Sequence, residues 1–306
     1  MDEAGVPEEG RILYVTPSMR KIVKEAEGIQ RVMSVTTPVT INRTVHSIDN
    51  VAIKMVPAAR MKTAYDFTEE DQITHRVWVI DEDEVISEIN KEFAGIDSLY
   101  IADGHHRAAS AVKVGLKRRE QNPGYTGKEE FNYFLSVVFP YDQLCILPYN
   151  RIVKDLNGLT VKAFLGALKF NFELMLMPGF PCKPVEKHCM GMYVDGQWYH
   201  LKAWPDIYEK KDVVGQLDVS ILQEKVLRPV LGIEDPRTDQ RISFVGGSHK
   251  AAELAEIADR TGGVAFVMYP TSMEDLMKIA DENKLMPPKS TWFEPKLRSG
   301  LFIHKL

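Results

Sequence analysis

Between the apolar run Leu99 to Ala102 and the helix-like run Ala108 to Val114 lie Asp103, Gly104, His105, His106 and Arg107. An acid, a glycine, two imidazoles and a guanidinium at a strand-to-helix turn are the ingredients of an anion-handling site. A glycine permits a tight or positive-φ turn. The first turn of a helix leaves backbone N–H groups that attract anions. A guanidinium offers a planar fork matched to phosphate or carboxylate. Asp103 has two chemical uses there, holding a metal ion or taking a proton from a hydroxyl. The competing use is purely structural, since Asp is a common helix cap and a histidine can sit satisfied in a core.

A second cluster closes the chain. In Leu285 to Lys296 three prolines set an extended backbone, with Lys289, Ser290 and Thr291 followed by Trp292 and Phe293. The lysine and hydroxyls suit a phosphate, and Trp292 suits a stacked base. The alternative is a tail whose aromatics plug the core. Arg151 follows Pro148-Tyr149-Asn150 in a segment whose alternation also describes an ordinary half-exposed strand. Arg237 and Arg241 lie in Asp235-Pro-Arg-Thr-Asp-Gln-Arg, ahead of Gly246-Gly247. They could clamp a phosphate bidentately or serve as surface partners of Asp235 and Asp239. Gly246-Gly247-Ser-His-Lys250 resembles a phosphate-cradling turn but lacks Walker spacing. His75, His105 and His106 would come together if their strands paired, yet no His-Glu-x-x-His pattern is present. For phosphoryl transfer the expected metal is magnesium, held by a carboxylate and substrate phosphates.

The elements that must position these residues read as an α+β chain, with mixed sheets and flanking helices, and without a simple run of βαβ units. Strands are expected at Arg11–Val15, Val32–Ile41, His75–Ile80, Leu99–Ala102, Tyr133–Phe139, Leu144–Asn150, Phe172–Met177, Met190–Val194, Ile242–Val245 and Val264–Met268. Asp195-Gly196 predicts a hairpin with a partner strand at Trp198–Ala203. Helices are expected at Pro17–Glu27, Ser47–Met55, Glu82–Ala94, from the Asp-Gly turn to about Glu120, and at Leu159–Phe170, Asp218–Leu231, Ala251–Thr261 and Ser272–Glu282. Tyr65–Asp71 reads as a polar connector and Trp292–Leu306 as an extended tail. A change of texture near residue 142 suggests two regions, 1–142 and 143–306.

Composition narrows the function class. The chain has 306 residues, 44% of them hydrophobic, and a net charge of -5. That supports a full globular core and argues against a general nucleic-acid binder, which carries a basic face. Three cysteines without metal-ligand spacing, Cys145, Cys182 and Cys189, read as reduced thiols of a cytoplasmic protein. No apolar run reaches the roughly 20 residues of a membrane span, and the acidic start is unlike a signal peptide.

The strings Tyr-Ile-Ala-Asp-Gly-His-His-Arg, Pro-Tyr-Asn-Arg-Ile-Val-Lys-Asp-Leu-Asn-Gly, Asp-Pro-Arg-Thr-Asp and Met-Pro-Pro-Lys-Ser-Thr-Trp-Phe-Glu-Pro-Lys resemble the domain-of-unknown-function family 1015, from about Tyr65 onward. The Asp-Gly-His-His-Arg turn is also similar to the Asp-Gly-x-His-Arg turn of ParB/sulfiredoxin-like free L-serine kinases. The resemblance implies a ParB/sulfiredoxin-like core followed by a second α+β region. It implies a kinase that moves a phosphoryl group from ATP or ADP, with magnesium, to free L-serine. Asp103, His105, His106 and Arg107 would then be catalytic, with Asp103 as the metal ligand. Gly104, Arg151, Arg237, Arg241, Lys289, Ser290 and Trp292 would bind nucleotide or substrate. Family members also carry an earlier His-Glu-x-Thr motif that no string here matches; Glu25 and Glu27 stand in its place by position alone. The alternative is a catalytically inactive nucleotide-binding or ParB-like regulatory module. The ParB-like reading would bring DNA as a partner, but the acidic balance weighs against nucleic acid; no membrane is expected, and the oligomeric state is not legible.

Overall fold

A computed structural model describes residues 13–14, 38–41, 62–70, 74–80, 83–94, 96, 98–140, 144–179, 181–247, 249–294 and 300–305. The helices expected at Pro17–Glu27 and Ser47–Met55 lie outside these residues, as do Glu25 and Glu27. The fold is α+β. The chain divides into two compact units, one of residues 1–145 with 295–306, the other of residues 146–294.

The first unit holds a four-stranded sheet in the order β1-β6-β2-β5. Its strands are β1 (Leu13–Tyr14), β2 (Pro38–Ile41), β5 (Leu99–Ile101) and β6 (Val137–Pro140). β2 runs parallel to β6 and antiparallel to β5, so the sheet is mixed. A separate hairpin pairs β3 (Lys62–Thr68) with β4 (Thr74–Val79). The connector expected at Tyr65–Asp71 is therefore largely strand. Its sequence, Lys-Thr-Ala-Tyr-Asp-Phe-Thr, has the β-branched and aromatic residues of a pleated surface between its polar ones. Because β4 pairs with β3 and β5 with β2, His75 does not join His105 and His106 by strand pairing; its ring lies 5.3 Å from Phe67. Helix α1 (Asp83–Ala94) buries Ile89 and Phe93, four residues apart on one face.

Helix α2 (His105–Gln121) is the longest helix described and carries the Asp-Gly turn at its start. Ala108 and Gly115 are its buried residues. A Cβ at Gly115 would sit 2.8 Å from the Phe131 carbonyl, so the helix packs closely on the 3-10 turn Glu130–Asn132. Arg119 Nε donates to Asn132 Oδ1 at 2.7 Å and ties the far end of α2 to that turn.

The second unit is built on a six-stranded antiparallel sheet, β12-β8-β13-β10-β11-β9. The strands are β8 (Tyr149–Val153), β9 (Phe172–Met177), β10 (Cys189–Val194), β11 (Gln197–Ala203), β12 (Ile242–Gly246) and β13 (Val264–Met268). The period of two along a strand decides which side each residue faces. Met190, Met192 and Val194 join Val264, Phe266 and Met268 in one apolar layer with Phe164, Leu168, Leu222 and Ile279. Tyr193, Ala265 and Val267 join the opposite layer with Ala251, Leu254 and Ala258. Helices α3 (Val161–Leu168), α4 (Asp218–Leu222) and α6 (Met273–Asp281) thus cover one face and α5 (Ala251–Thr261) the other. Burial on both faces is why β10 and β13 read as continuous apolar runs.

The Asp195-Gly196 turn closes β10 onto β11, with both residues at positive φ and Val194 opposite Gln197. That is the hairpin expected of Asp-Gly. Two expected elements come out differently. The strand expected at Leu144–Asn150 is broken at Pro148 into β7 (Cys145–Leu147) and β8, because proline cannot donate to a ladder. The helix expected at Asp218–Leu231 is α-helical only to Leu222. It continues as a π turn over Gln223–Leu227, where Arg228 N–H reaches the Gln223 carbonyl at 3.0 Å.

Candidate functional site

In the first unit, the polypeptide leaves β5 and turns at Asp103 and Gly104 into α2. Gly104 is the N-cap residue, at φ 82° and ψ 27°, a left-handed conformation that costs any residue with a Cβ. Asp103 Oδ1 accepts the Gly104 N–H at 2.7 Å. One carboxylate oxygen thus braces the turn itself. Gly104, as the N-cap residue, has no side chain with which to cap the helix, and the first turn of α2 holds no acidic residue. The helix start thus carries the positive character of its first-turn N–H groups, with the Asp103 carboxylate beside it. His105, His106 and Arg107 are all exposed along that turn. The His105 imidazole is held below its ordinary pKa by loss of solvent, with Asp103 opposing the shift and His106 adding to it. It is accordingly neutral at pH 7. The turn brings an acid, a proton acceptor, a second imidazole and a guanidinium to one helix end.

The second unit brings four of the expected binding residues together around a strap, residues 286–294. Arg151 on β8 is only 3% exposed. Its guanidinium donates to the Tyr149 carbonyl and, through Nη2 at 2.9 Å, to the Lys289 carbonyl. Its Cζ lies 5.5 Å from the Phe244 ring centroid. Desolvation lowers its pKa to about 9, with Tyr149 opposing, which leaves it charged at neutral pH. The half-exposed strand expected here is corrected: Arg151, Ile152 and Val153 are all buried, because β8 lies between β12 and β13.

The strap is fitted to that frame. Ser290 is buried and donates through Oγ to the Pro287 carbonyl at 2.5 Å. Lys289 is exposed, with φ 54°, and its Nζ stands 5.5 Å from the Tyr149 ring. Trp292 on β14 (Trp292–Glu294) packs edge-on to Tyr149 with centroids 5.3 Å apart, and Phe293 beside it is 1% exposed. A Cβ on Gly246 would lie 2.6 Å from the Trp292 ring, and one on Gly247 would lie 2.6 Å from the Pro148 ring. The Gly-Gly pair is explained by these close approaches. In this frame Lys289 is the cation that solvent can reach, whereas Arg151 holds the strap's backbone.

The remaining arginines are engaged with neighbours. Arg237, exposed, pairs with Asp235 at 2.8 Å. Arg241 pairs with Asp239 at 2.9 Å and Asp155 at 3.4 Å, and donates to the Leu231 and Gly232 carbonyls at 3.0 Å each. Of the two readings open for these arginines, the ion pairs with Asp235 and Asp239 are the contacts present.

One group of residues escaped the sequence reading. Lys187, His188, Asp218, Thr271 and Asp275 line a small pocket in the second unit. They come from three separated stretches of chain, so no local motif announces them. The nearest signal was His188 beside Cys189. Both Cys182 and Cys189 are buried free thiols, and burial pushes the Cys189 thiol up to about 11. Among the described residues no group of three His, Cys, Asp or Glu is arranged to hold a metal ion. Among them, too, no helix is long and apolar enough to cross a membrane.

No curated protein matches the chain. Among solved structures, a free serine kinase in complex with AMP is 13% identical, with 86% of this chain and 89% of that chain covered and a TM-score of 0.38. A mutant free serine kinase in complex with ADP is 14% identical, over 86% and 89%, with a TM-score of 0.37. A conserved hypothetical protein from Pyrococcus furiosus is 14% identical, over 86% and 92%, with a TM-score of 0.34. The family model described as protein of unknown function DUF1015 matches residues 29–220, which take in the Asp-Gly-His-His-Arg turn and the Arg151 strand. The chain belongs to the DUF1015 family.

Proposed function

We propose that this protein is a small-molecule phosphotransferase that moves a phosphoryl group from ATP or ADP to the hydroxyl of free L-serine. The observation that carries this reading is the start of α2. A left-handed glycine opens a helix whose first turn has no side-chain cap and no acid, and which displays two imidazoles and a guanidinium next to a carboxylate. A phosphoryl group carries the charge that such a terminus attracts, and catalysis of its transfer is mostly positioning and charge neutralisation.

In this reading the serine Oγ forms a bond to the terminal phosphorus of the nucleotide as the bridging P–O bond breaks. The shortened nucleotide leaves with the electron pair. The hydroxyl proton goes to His105, which is neutral at pH 7, or to the Asp103 carboxylate. His106 and Arg107 offset charge on the transferring group. One carboxylate with substrate phosphates is an ordinary magnesium site, and Asp103 fits that role; bound magnesium would neutralise charge on the donor phosphates. Lys289, exposed on the strap, is the group available in the second unit for a phosphate or carboxylate.

The test is phosphorus NMR of the purified protein with L-serine, magnesium and either ATP or ADP. A new phosphomonoester resonance that requires L-serine supports the kinase and identifies the donor. Nucleotide binding without that resonance would instead favour the regulatory module.

A further inference from the structure

The pocket in the second unit has features that the phosphotransferase reading does not use. Its volume is about 20 Å3, room for one water-sized group, which needs roughly 10–15 Å3. Asp218, the first residue of α4, accepts the His188 backbone N–H on Oδ1 at 2.7 Å. That is its one hydrogen bond among the described residues, so its second oxygen lacks a protein donor. His188 is held at φ 65° by three restraints. Its N–H is bound to Asp218, its carbonyl accepts the Ala203 N–H at 2.8 Å, and its ring stacks on Tyr208 at 4.0 Å. A non-glycine residue kept in this conformation by surrounding contacts is a mark of a built site.

The charges around the pocket are uneven. Lys187 is already neutralised by Asp275 at 2.6 Å, and Asp275 also accepts from Ser272 Oγ at 2.9 Å. The His188 imidazole is held below its ordinary pKa, chiefly by burial. The remaining formal charge is the Asp218 carboxylate, whose pKa burial pushes up to about 7 against the opposing pull of the His188 N–H and of Lys187. Thr271, whose hydroxyl donates to the Ser290 carbonyl at 3.4 Å, keeps oxygen lone pairs for a donor. A net negative, acceptor-rich space of one-water size selects a small cationic hydrogen-bond donor.

We propose that this pocket is a subsite for a primary ammonium group, with Asp218 as its counter-ion and Thr271 and Asp275 as further acceptors. The group could belong to a simple alkylamine or to a free amino acid. The proposal stands apart from the phosphotransferase reading, since a chain that transfers no phosphoryl group would still bind an amine here.

The test follows the Asp218 carboxyl by carbon NMR in full-length protein labelled at aspartate, with Asp218→Asn used to assign its resonance. Methylammonium chloride is expected to lower the midpoint of the Asp218 titration by about one pH unit, the usual effect of an adjacent opposite charge. Tetramethylammonium chloride at equal concentration, which has no N–H donor and does not fit, should leave it unchanged. If glycine and L-serine act like methylammonium, the site takes an amino acid; if methylammonium acts alone, it takes a simple amine. Equal shifts from both ammonium salts would reveal ionic strength only and overturn the proposal, as would a midpoint that methylammonium does not move.

Discussion

At φ 82° a side chain on residue 104 would be strained, so Gly104 fixes where the Asp103 carboxylate and the α2 terminus meet. Gly104→Ala should destabilise the first unit by about 1–2 kcal/mol, the cost of placing a Cβ in the left-handed region, measured as a shift in denaturant midpoint. Asp103→Asn removes a charge but keeps an oxygen able to accept the Gly104 N–H. It should leave the unfolding curve in place while lowering turnover by about a hundredfold or more. His105 adds a pH signature. Its folded pKa lies below the ordinary value of 6.5, so its contribution to stability is full above pH 6.5 and is lost as pH falls towards the folded value. The acid limb of kcat/KM should accordingly turn below pH 6.5, and a limb above it would remove His105 as proton acceptor. Asp218 behaves in the opposite sense. Its carboxyl is raised from 3.8 to about 7, so stability falls as pH rises from about 4 to 7 and then levels. Asp218→Asn should therefore raise the melting temperature at pH 8 and have little effect at pH 4, as read by thermal melts at both values.

Elements decide which of these residues become accessible. The turn at Asp103 was legible because its signal is local: an apolar run, Asp-Gly, then a helical pattern. The Asp195-Gly196 hairpin and the helix start at Ser272, whose Oγ accepts the Asp275 N–H at 3.1 Å, were legible for the same reason. Arg151 was not. Alternation in Arg151-Ile-Val-Lys suggests one wet face, but a strand with neighbours on both edges and helices on both sheet faces buries both kinds of residue. The burial of Arg151 depends on β12, β13 and the strap, none of which is local to it. The pocket around Asp218 is hidden still further, since Lys187, Asp218 and Thr271 meet only in the folded chain. Arg151 anchors the strap through a planar fork that lysine cannot reproduce. Arg151→Lys should cost about 1.5–3 kcal/mol, the range for a charged hydrogen bond. It should also red-shift tryptophan emission as Trp292 loosens from Gly246 and Tyr149. An unchanged spectrum and melting curve would contradict the anchoring role.

At the scale of the molecule, the chain forms two compact units. The six-stranded sheet of the second unit carries apolar layers on both faces. Phe266→Ala, at the centre of one layer and fully buried, should cost about 3–5 kcal/mol. The loss should appear in the hydrogen exchange of residues 146–294. The mixed sheet of the first unit presents the Asp103 turn, and the antiparallel sheet of the second presents the strap and the ammonium pocket. The most direct measurement is phosphorus NMR on wild type and Asp103→Asn side by side, with L-serine, magnesium and both nucleotides. The account predicts an L-serine-dependent phosphomonoester from wild type and almost none from the equally folded variant. An equal yield from both would contradict the role given to the Asp103 turn, and no product from folded wild type with either donor would contradict the phosphotransferase itself.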